Sequence, residues 1–180
     1  SITIDHNGYV YVVDTKGNKV NQYKSDGSFK SSWNYDGALN DPVGIAKCHK
    51  SNLCFYVLEQ SSSKTGPGRM LQVMADESLI DCKVTDLQIE ITSNSNNYSN
   101  DYEAHIATDS DGNIYFPHET VIQYNPDQNS ALYWDYNLFQ KPVGITVAKN
   151  EIYVTDWDKN CVQKIFKTRR IIKFMGVLWK

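Results

Sequence analysis

What this 180-residue chain lacks narrows its class before any motif is read. No stretch approaches the roughly 18 to 20 consecutive apolar residues that a membrane span requires. The N-terminal SITIDHNGYVYVV has no basic segment followed by an apolar one, as a secretory leader would. It starts at Ser1 without an initiator methionine, as a processed or engineered product or a stretch of a longer chain does. There is no nucleophile elbow, no phosphate-binding glycine loop and no His-Glu-x-x-His, and only four histidines. Helix-period patterns are absent. No acidic residue lies beyond Asp158, whereas seven of the 18 Lys and Arg do, so a net charge of −3 joins an acidic body to a basic tail. An acidic body argues against a general nucleic-acid binder, which needs a basic stripe to displace counterions from phosphates. The tail (Lys164, Lys167, Arg169, Arg170, Lys173, Lys180) interleaves its charges with apolar residues and reads as a solvated edge strand that discourages edge-to-edge pairing.

What is present is repetition. With 41% hydrophobic and 12% aromatic residues the chain can bury a sizeable core. YVYVVD (9–14) recurs as CFYVLE (54–59), NIYFPH (113–118) and EIYVTD (151–156). A shorter apolar run precedes each: ITI at 2–4, GIA at 44–46, HIAT at 105–108 and GITV at 144–147. Turn residues such as His6-Asn7-Gly8 and Ser110-Asp111-Gly112 separate run from segment and suit a tight hairpin. A third run follows, aligned without gaps as KVNQY (19–23), MLQVM (70–74), TVIQY (120–124) and CVQKI (161–165). Fourth strands close each repeat at 29–33, 79–84, 131–136 and 171–179. Each repeat is thus a meander of four antiparallel strands. The second strands are continuous apolar runs, so both of their faces must be covered. Stacking four-stranded sheets face to face as the blades of a β-propeller achieves this. The fold class is therefore all-β, one propeller domain over 1–180, with repeats at about 1–38, 42–87, 101–139 and 140–180.

The strings PVGIA…LCFYVLE, PVGITV…EIYVTDWDKNCVQKI and ITIDHNGYVYVVDTKGNKVNQYKSDGSF resemble NHL repeats, whose pattern is a Pro-x-Gly-Ile-Ala start, an Asp-x-x-Gly hairpin, a Tyr-Val-x-Asp strand end and an Asn four residues later. Repeats one and four carry it best, through Asp14/Asn18 and Asp156/Asn160; repeat two has Glu59 and an expanded loop, repeat three Pro117-His118 and a shortened one. The Asp and Asn pairs read as loop caps bonding to backbone amides. The resemblance implies a ring that is typically six-bladed, completed by further blades or a partner chain. With repeats one and four at its ends, Tyr9, Tyr11 and Val13 on one side and Ile165, Phe174 and Val177 on the other are expected to be left open.

Cys48 and Cys54 flank the first hairpin of repeat two, where repeat one has Asp5 and Tyr9, so they face each other across its mouth and are expected to pair in an oxidising compartment. Cys82 and Cys161 lie in non-adjacent repeats and read as free or buried. Asn97-Tyr98-Ser99 is an N-glycosylation sequon inside the polar insertion 92–100. With the even cysteine count it points to an extracellular or luminal protein, a cytoplasmic one being the alternative.

Two functional readings follow. In the first the protein is not an enzyme, has no cofactor, and presents propeller loops to a protein or glycan partner. Tyr35, Tyr102 and Trp157, in loops, are the contact residues, while Trp33, Tyr133 and Trp134, on strands, pack between blades. In the second, which the resemblance implies, it is a metal-dependent lyase or lactonase. His105 and His118 then share one mouth of the propeller with Glu103, Glu119, Asp14, Glu59 and Asp156 and hold a divalent cation. Loop capping by the acids and the missing third histidine favour the first.

Overall fold

A computed structural model describes residues 1–34, 37–51, 53–60, 69–75, 82–87, 89, 105–118, 120–134, 137–167 and 171–175, with the side chains of Ala75, Cys82 and 171–175 left out. Among the described residues sixteen strands form four sheets of four, each antiparallel and each in chain order. Blade 1 is β1 (Ile2–Ile4), β2 (Val10–Asp14), β3 (Lys19–Tyr23) and β4 (Phe29–Trp33). Blade 2 is β5 (Pro42–Lys47), β6 (Cys54–Glu59), β7 (Arg69–Ala75) and β8 (Cys82–Asp86). Blade 3 is β9 (Ala107–Thr108), β10 (Ile114–Pro117), β11 (Val121–Asn125) and β12 (Ser130–Tyr133). Blade 4 is β13 (Pro142–Ala148), β14 (Glu151–Asp156), β15 (Cys161–Phe166) and β16 (Ile171–Met175). The chain is an all-β propeller chain of four blades. Blades 1 and 2 belong to one compact unit, Ser1–Tyr102, and blades 3 and 4 to a second, Glu103–Lys180.

The strands form where Tyr, Val and Ile cluster, because branched and aromatic side chains suit a pleated surface buried on both sides. Every residue of β6 and β10 is buried, as their unbroken apolar runs require. The hairpins turn at Gly8 and Gly112, whose φ angles of +81° and +86° an L side chain rarely adopts. Pro-Val-Gly-Ile opens β5 and β13 with a bulge between Pro42 and Gly44 and between Pro142 and Gly144. A Cβ at Gly144 would stand 2.7 Å from Thr155 Oγ1, the same oxygen that accepts the Gly144 N–H at 2.8 Å.

The pairing register gives each blade two faces. Tyr9, Tyr11 and Val13 alternate with Val10 and Val12, and the two sets point opposite ways. In the first unit Tyr11, Val20 and Trp33 of blade 1 pack on Ile45, Phe55, Val57, Leu71 and Val73 of blade 2, with the Phe55 ring 4.5 Å from that of Tyr11. The second unit repeats the plan: Tyr115, Val121 and Trp134 pack on Ile145, Ile152, Val154 and Ile165. Each fully buried side chain of this size contributes roughly 1.5–3 kcal/mol.

Two expectations change here. The third run of repeat two is RMLQV (69–73), not MLQVM, because Glu59 pairs with Arg69 and Tyr56 with Gln72, just as Asp14 pairs with Lys19 and Tyr11 with Gln22. The open face of blade 1 is also the opposite one. Tyr9, Tyr11 and Val13 pack toward blade 2, and Ile165 packs toward blade 3, whereas Ile2 and Ile4 are exposed and Val10 and Val12 half-buried. The side chain of Phe174, and Val177 altogether, lie outside the described residues.

Candidate functional site

The informative geometry lies at the ends of the second strands. Asp14, Glu59 and Asp156 end β2, β6 and β14, and each spends its carboxylate on nearby backbone or a cation. Asp14 Oδ1 accepts the Gly17 N–H at 2.9 Å, and Asn18 beyond it takes φ +49° and accepts the Asp41 N–H of the next blade at 2.8 Å. Asp156 accepts the N–H groups of Gln140 at 2.9 Å, Lys141 at 3.0 Å and Lys159 at 3.3 Å, and the Gln163 amide at 3.1 Å. Gln163 and Lys159 also donate to the Leu138 carbonyl, at 2.9 and 2.6 Å. Buried carboxylates facing amide donors are stabilised by these short charge-assisted bonds.

Blade 2 reaches the same end with different residues. Glu59 accepts the Asn40 N–H at 2.7 Å and pairs with Arg69 at 2.6 Å, while Arg69 donates to the Ala38 carbonyl at 2.7 Å. Residues 38–41 and 138–141 are the loops leading into β5 and β13. A strand-end acid and a neighbouring donor therefore pin each of them.

Trp157 follows Asp156 directly. Its N–H donates to the Lys141 carbonyl at 2.8 Å, so its backbone is fixed, yet its side chain is 69% exposed, the most open of the large hydrophobic residues described. Trp33 and Trp134 are buried between blades, and Tyr133, which the sequence places in the same packing, is partly exposed. Tyr35 and Tyr102 lie outside the described residues, as do Asn97, Glu103 and Glu119.

His105 and His118 are both half-buried. His118 follows β10 and its N–H donates to the Thr120 carbonyl at 2.7 Å; burial pushes its imidazole down from the ordinary value of 6.5, toward the neutral form. Ile114 pairs with Thr108 and Tyr115 with Ala107, and β9 begins at Ala107, two residues after His105. Among the described residues no three of His, Cys, Asp and Glu are arranged to hold a metal ion.

Cys48 and Cys54 are joined by a disulfide, with Cα atoms 5.1 Å apart, and both are buried. Cys161 is a free thiol whose pKa is raised by burial and by Asp156. The basic tail is less solvated than its sequence implies. Lys164 pairs with Glu151 at 2.6 Å on β14, and Lys167 reaches Asp109 in blade 3 at 2.9 Å. Neither cation lies on the edge strand β16.

Residues 139–165, from the loop before β13 to β15, match the NHL repeat family. No curated protein sequence matches the chain. Among solved structures, virginiamycin B lyase from Staphylococcus aureus is similar, with a TM-score of 0.68 and 14% identity over 99% of this chain and 55% of that one. A catalytically inactive histidine-to-alanine variant of that lyase with quinupristin gives 0.67 and 14% over the same shares. A chain of a nidogen/laminin complex gives 0.65 and 16% over 96% of this chain and 61% of that one. This chain thus spans 55% of the lyase chain's length, and at such identities the likeness is one of fold. The fourth blade matches the NHL repeat and all four blades are built on the same meander, so the chain is a β-propeller chain that carries an NHL repeat at residues 139–165.

Proposed function

We infer that the protein is a non-enzymatic binding module that presents propeller loops to a protein or glycan partner, outside the cytosol. The observation that carries this reading is Trp157: a bare indole on a backbone tied down by Asp156 and Lys141. A large aromatic surface held rigid loses little entropy on docking and has the character of an interface anchor. The similarity to a chain of a nidogen/laminin complex supports a protein partner, and the Cys48–Cys54 disulfide supports an oxidising compartment. The test is a pull-down from the native source and a glycan array, each run with the wild type and Trp157→Ala. A partner held by the wild type and lost, or weakened about tenfold or more, in the variant supports the reading. Equal retention by both overturns the role of this loop.

The partner side of this reading includes a further blade. Ile2, Val10 and Val12 occupy the positions that Ile45, Phe55 and Val57 hold in blade 2, by the pairings Ile2 with Val12 and Ile45 with Val57. Ile45 is 1% exposed beneath the Tyr11, Val20 and Trp33 face, whereas Ile2 is 60% exposed. The occupant that fits is another Tyr-Val-Trp face, supplied by an additional blade of a longer ring.

The lyase or lactonase reading keeps three supports: the likeness to the lyase covers 99% of this chain, a histidine variant of that lyase is inactive, and burial holds His118 toward its neutral form. Elemental analysis decides between the two. Stoichiometric zinc or calcium that disappears in His105→Ala and His118→Ala favours the enzyme, and its absence favours the binding module.

A further inference from the structure

The hairpin between first and second strands is locked by a carboxylate in blades 1 and 3. Asp5 Oδ1 accepts the N–H groups of Asn7 and Tyr9, both at 2.9 Å, and Oδ2 accepts the Tyr11 hydroxyl at 3.0 Å. Asp109 repeats this with the N–H groups of Asp111 and Asn113 at 2.9 Å and the Tyr115 hydroxyl at 2.8 Å. The Asp5 N–H donates to the Tyr9 carbonyl at 3.0 Å, and the Asp109 N–H to the Asn113 carbonyl at 3.1 Å.

Blade 2 has Cys48 at this position. Its N–H donates to the Cys54 carbonyl at 2.8 Å, closing the same mouth around a loop two residues longer. Tyr56 stands where Tyr11 and Tyr115 stand and is as deeply buried, and Gln72 Nε2 meets its hydroxyl at 3.5 Å as Gln22 Nε2 meets that of Tyr11 at 2.9 Å. The same Nε2 lies 3.8 Å from Cys54 Sγ. Sulfur has replaced the carboxylate at the centre of one and the same lock.

We propose that the Cys48–Cys54 bond is a redox-dependent hairpin lock, equivalent in place and purpose to the Asp5 and Asp109 locks, whose reduction releases the loop 49–53 of blade 2 and leaves blades 1 and 3 closed. Reduction by a dithiol breaks the S–S bond, leaves two protonated thiols on the protein and turns the dithiol into its own disulfide, with two electrons passing to the protein. Two thiols do not gather backbone N–H groups as a carboxylate does, so reduction removes the covalent closure of the mouth with no equivalent in its place. The hairpin closed by this bond carries His49 and Lys50, both exposed. Because Cys48 and Cys54 are buried, the dithiol reaches them only after the hairpin opens. The lock therefore yields slowly.

The test is peptide-resolved hydrogen exchange at neutral pH on the intact chain, with and without a dithiol, followed at hairpins 5–9, 48–54 and 109–113. Reduction is expected to speed exchange in 48–54 by about thirtyfold or more, the factor equivalent to the low end of a typical disulfide's contribution, with the other two hairpins unchanged. A second chain replaces residues 48–54 with the sequence of residues 5–9, Asp-His-Asn-Gly-Tyr. It should protect that hairpin equally with and without the dithiol. Unchanged exchange in the reduced wild type, with both thiols confirmed by alkylation, overturns the proposal. So does a folded graft whose hairpin is as open as that of the reduced wild type, and so does loosening that spreads to all three hairpins.

Discussion

Lys167, one residue beyond β15 in blade 4, places its ammonium 2.9 Å from Asp109 Oδ2 in blade 3, on a carboxylate whose side chain is 1% exposed. The Asn113 amide and the Tyr115 hydroxyl reach the same oxygen at 2.9 and 2.8 Å. One buried carboxylate therefore closes its own hairpin and ties the two blades of its unit together. Burial alone would push Asp109 up, but hydrogen bonds from Asn113, Lys167 and Tyr115 outweigh it and hold the carboxyl at about 2, below its ordinary 3.8.

Acid should release this tie. The carboxylate is favoured in the folded protein, so its contribution is complete above the ordinary value near pH 4 and is lost as pH falls through about 2. Denaturant unfolding of the wild type should show stability dropping across that window, and Asp109→Asn should flatten the drop while costing about 2–4 kcal/mol at pH 7. Parallel pH profiles for the two proteins would contradict the assignment.

Trp157 should dominate the solvent-accessible indole signal among the described tryptophans, because Trp33 and Trp134 are buried. Trp157→Phe is expected to remove most of the acrylamide-quenchable fluorescence of this group and to shift the remaining emission to the blue. The stability of the variant should stay within about 0.5 kcal/mol of the wild type, as for an exposed side chain. A large loss of stability would mean that the indole packs in solution.

The uncovered face of blade 1 should be adhesive. Sedimentation of the 180-residue chain at rising concentration is expected to show self-association, which Ile2→Asp with Ile4→Asp abolishes without unfolding the chain. A wild type that stays monomeric and binds no hydrophobic dye would refute a docking role for this face.

Much of this architecture is legible in the sequence, because the second strands are runs of branched and aromatic residues and turns such as Asn7-Gly8, Asp26-Gly27, Asp111-Gly112 and Asn125-Pro126 punctuate blades 1 and 3. β6 and β14 fall on the repeated segments 54–59 and 151–156 residue for residue. Letter similarity misplaces β7 by one residue. Its apolar residues look alike at either setting, and the opposition of Arg69 to Glu59 and of Gln72 to Tyr56 fixes the register. The same period of two makes the faces of β2 easy to exchange, since Tyr11 and Val12 are equally good core residues until a neighbouring blade is placed. Asp5 and Asp109 are visible as hairpin residues. Their hydroxyl partners six residues later give a signal only once Tyr11 and Tyr115 are compared. The reach of Lys167 to Asp109 spans blades and leaves no local trace. Trp157 is legible for the opposite reason: an aromatic just after a strand-ending Asp has no ladder neighbour to cover it.

Glu59 with Arg69 and Asp156 with Gln163 perform one task at two reaches. The longer acid and longer donor in blade 2 end at the Asn40 N–H and the Ala38 carbonyl, and the shorter pair in blade 4 ends at the Gln140 N–H and the Leu138 carbonyl. The backbone thus specifies a span to be bridged and leaves open which atoms bridge it. Residues that share such a span act as couples: shortening one alone strands its partner, whereas trading both preserves the span. Glu59→Asp and Arg69→Gln should each destabilise blade 2 by about 1–3 kcal/mol, and thermal unfolding of the double variant should recover part of the loss through a favourable coupling. Strict additivity would break the couple.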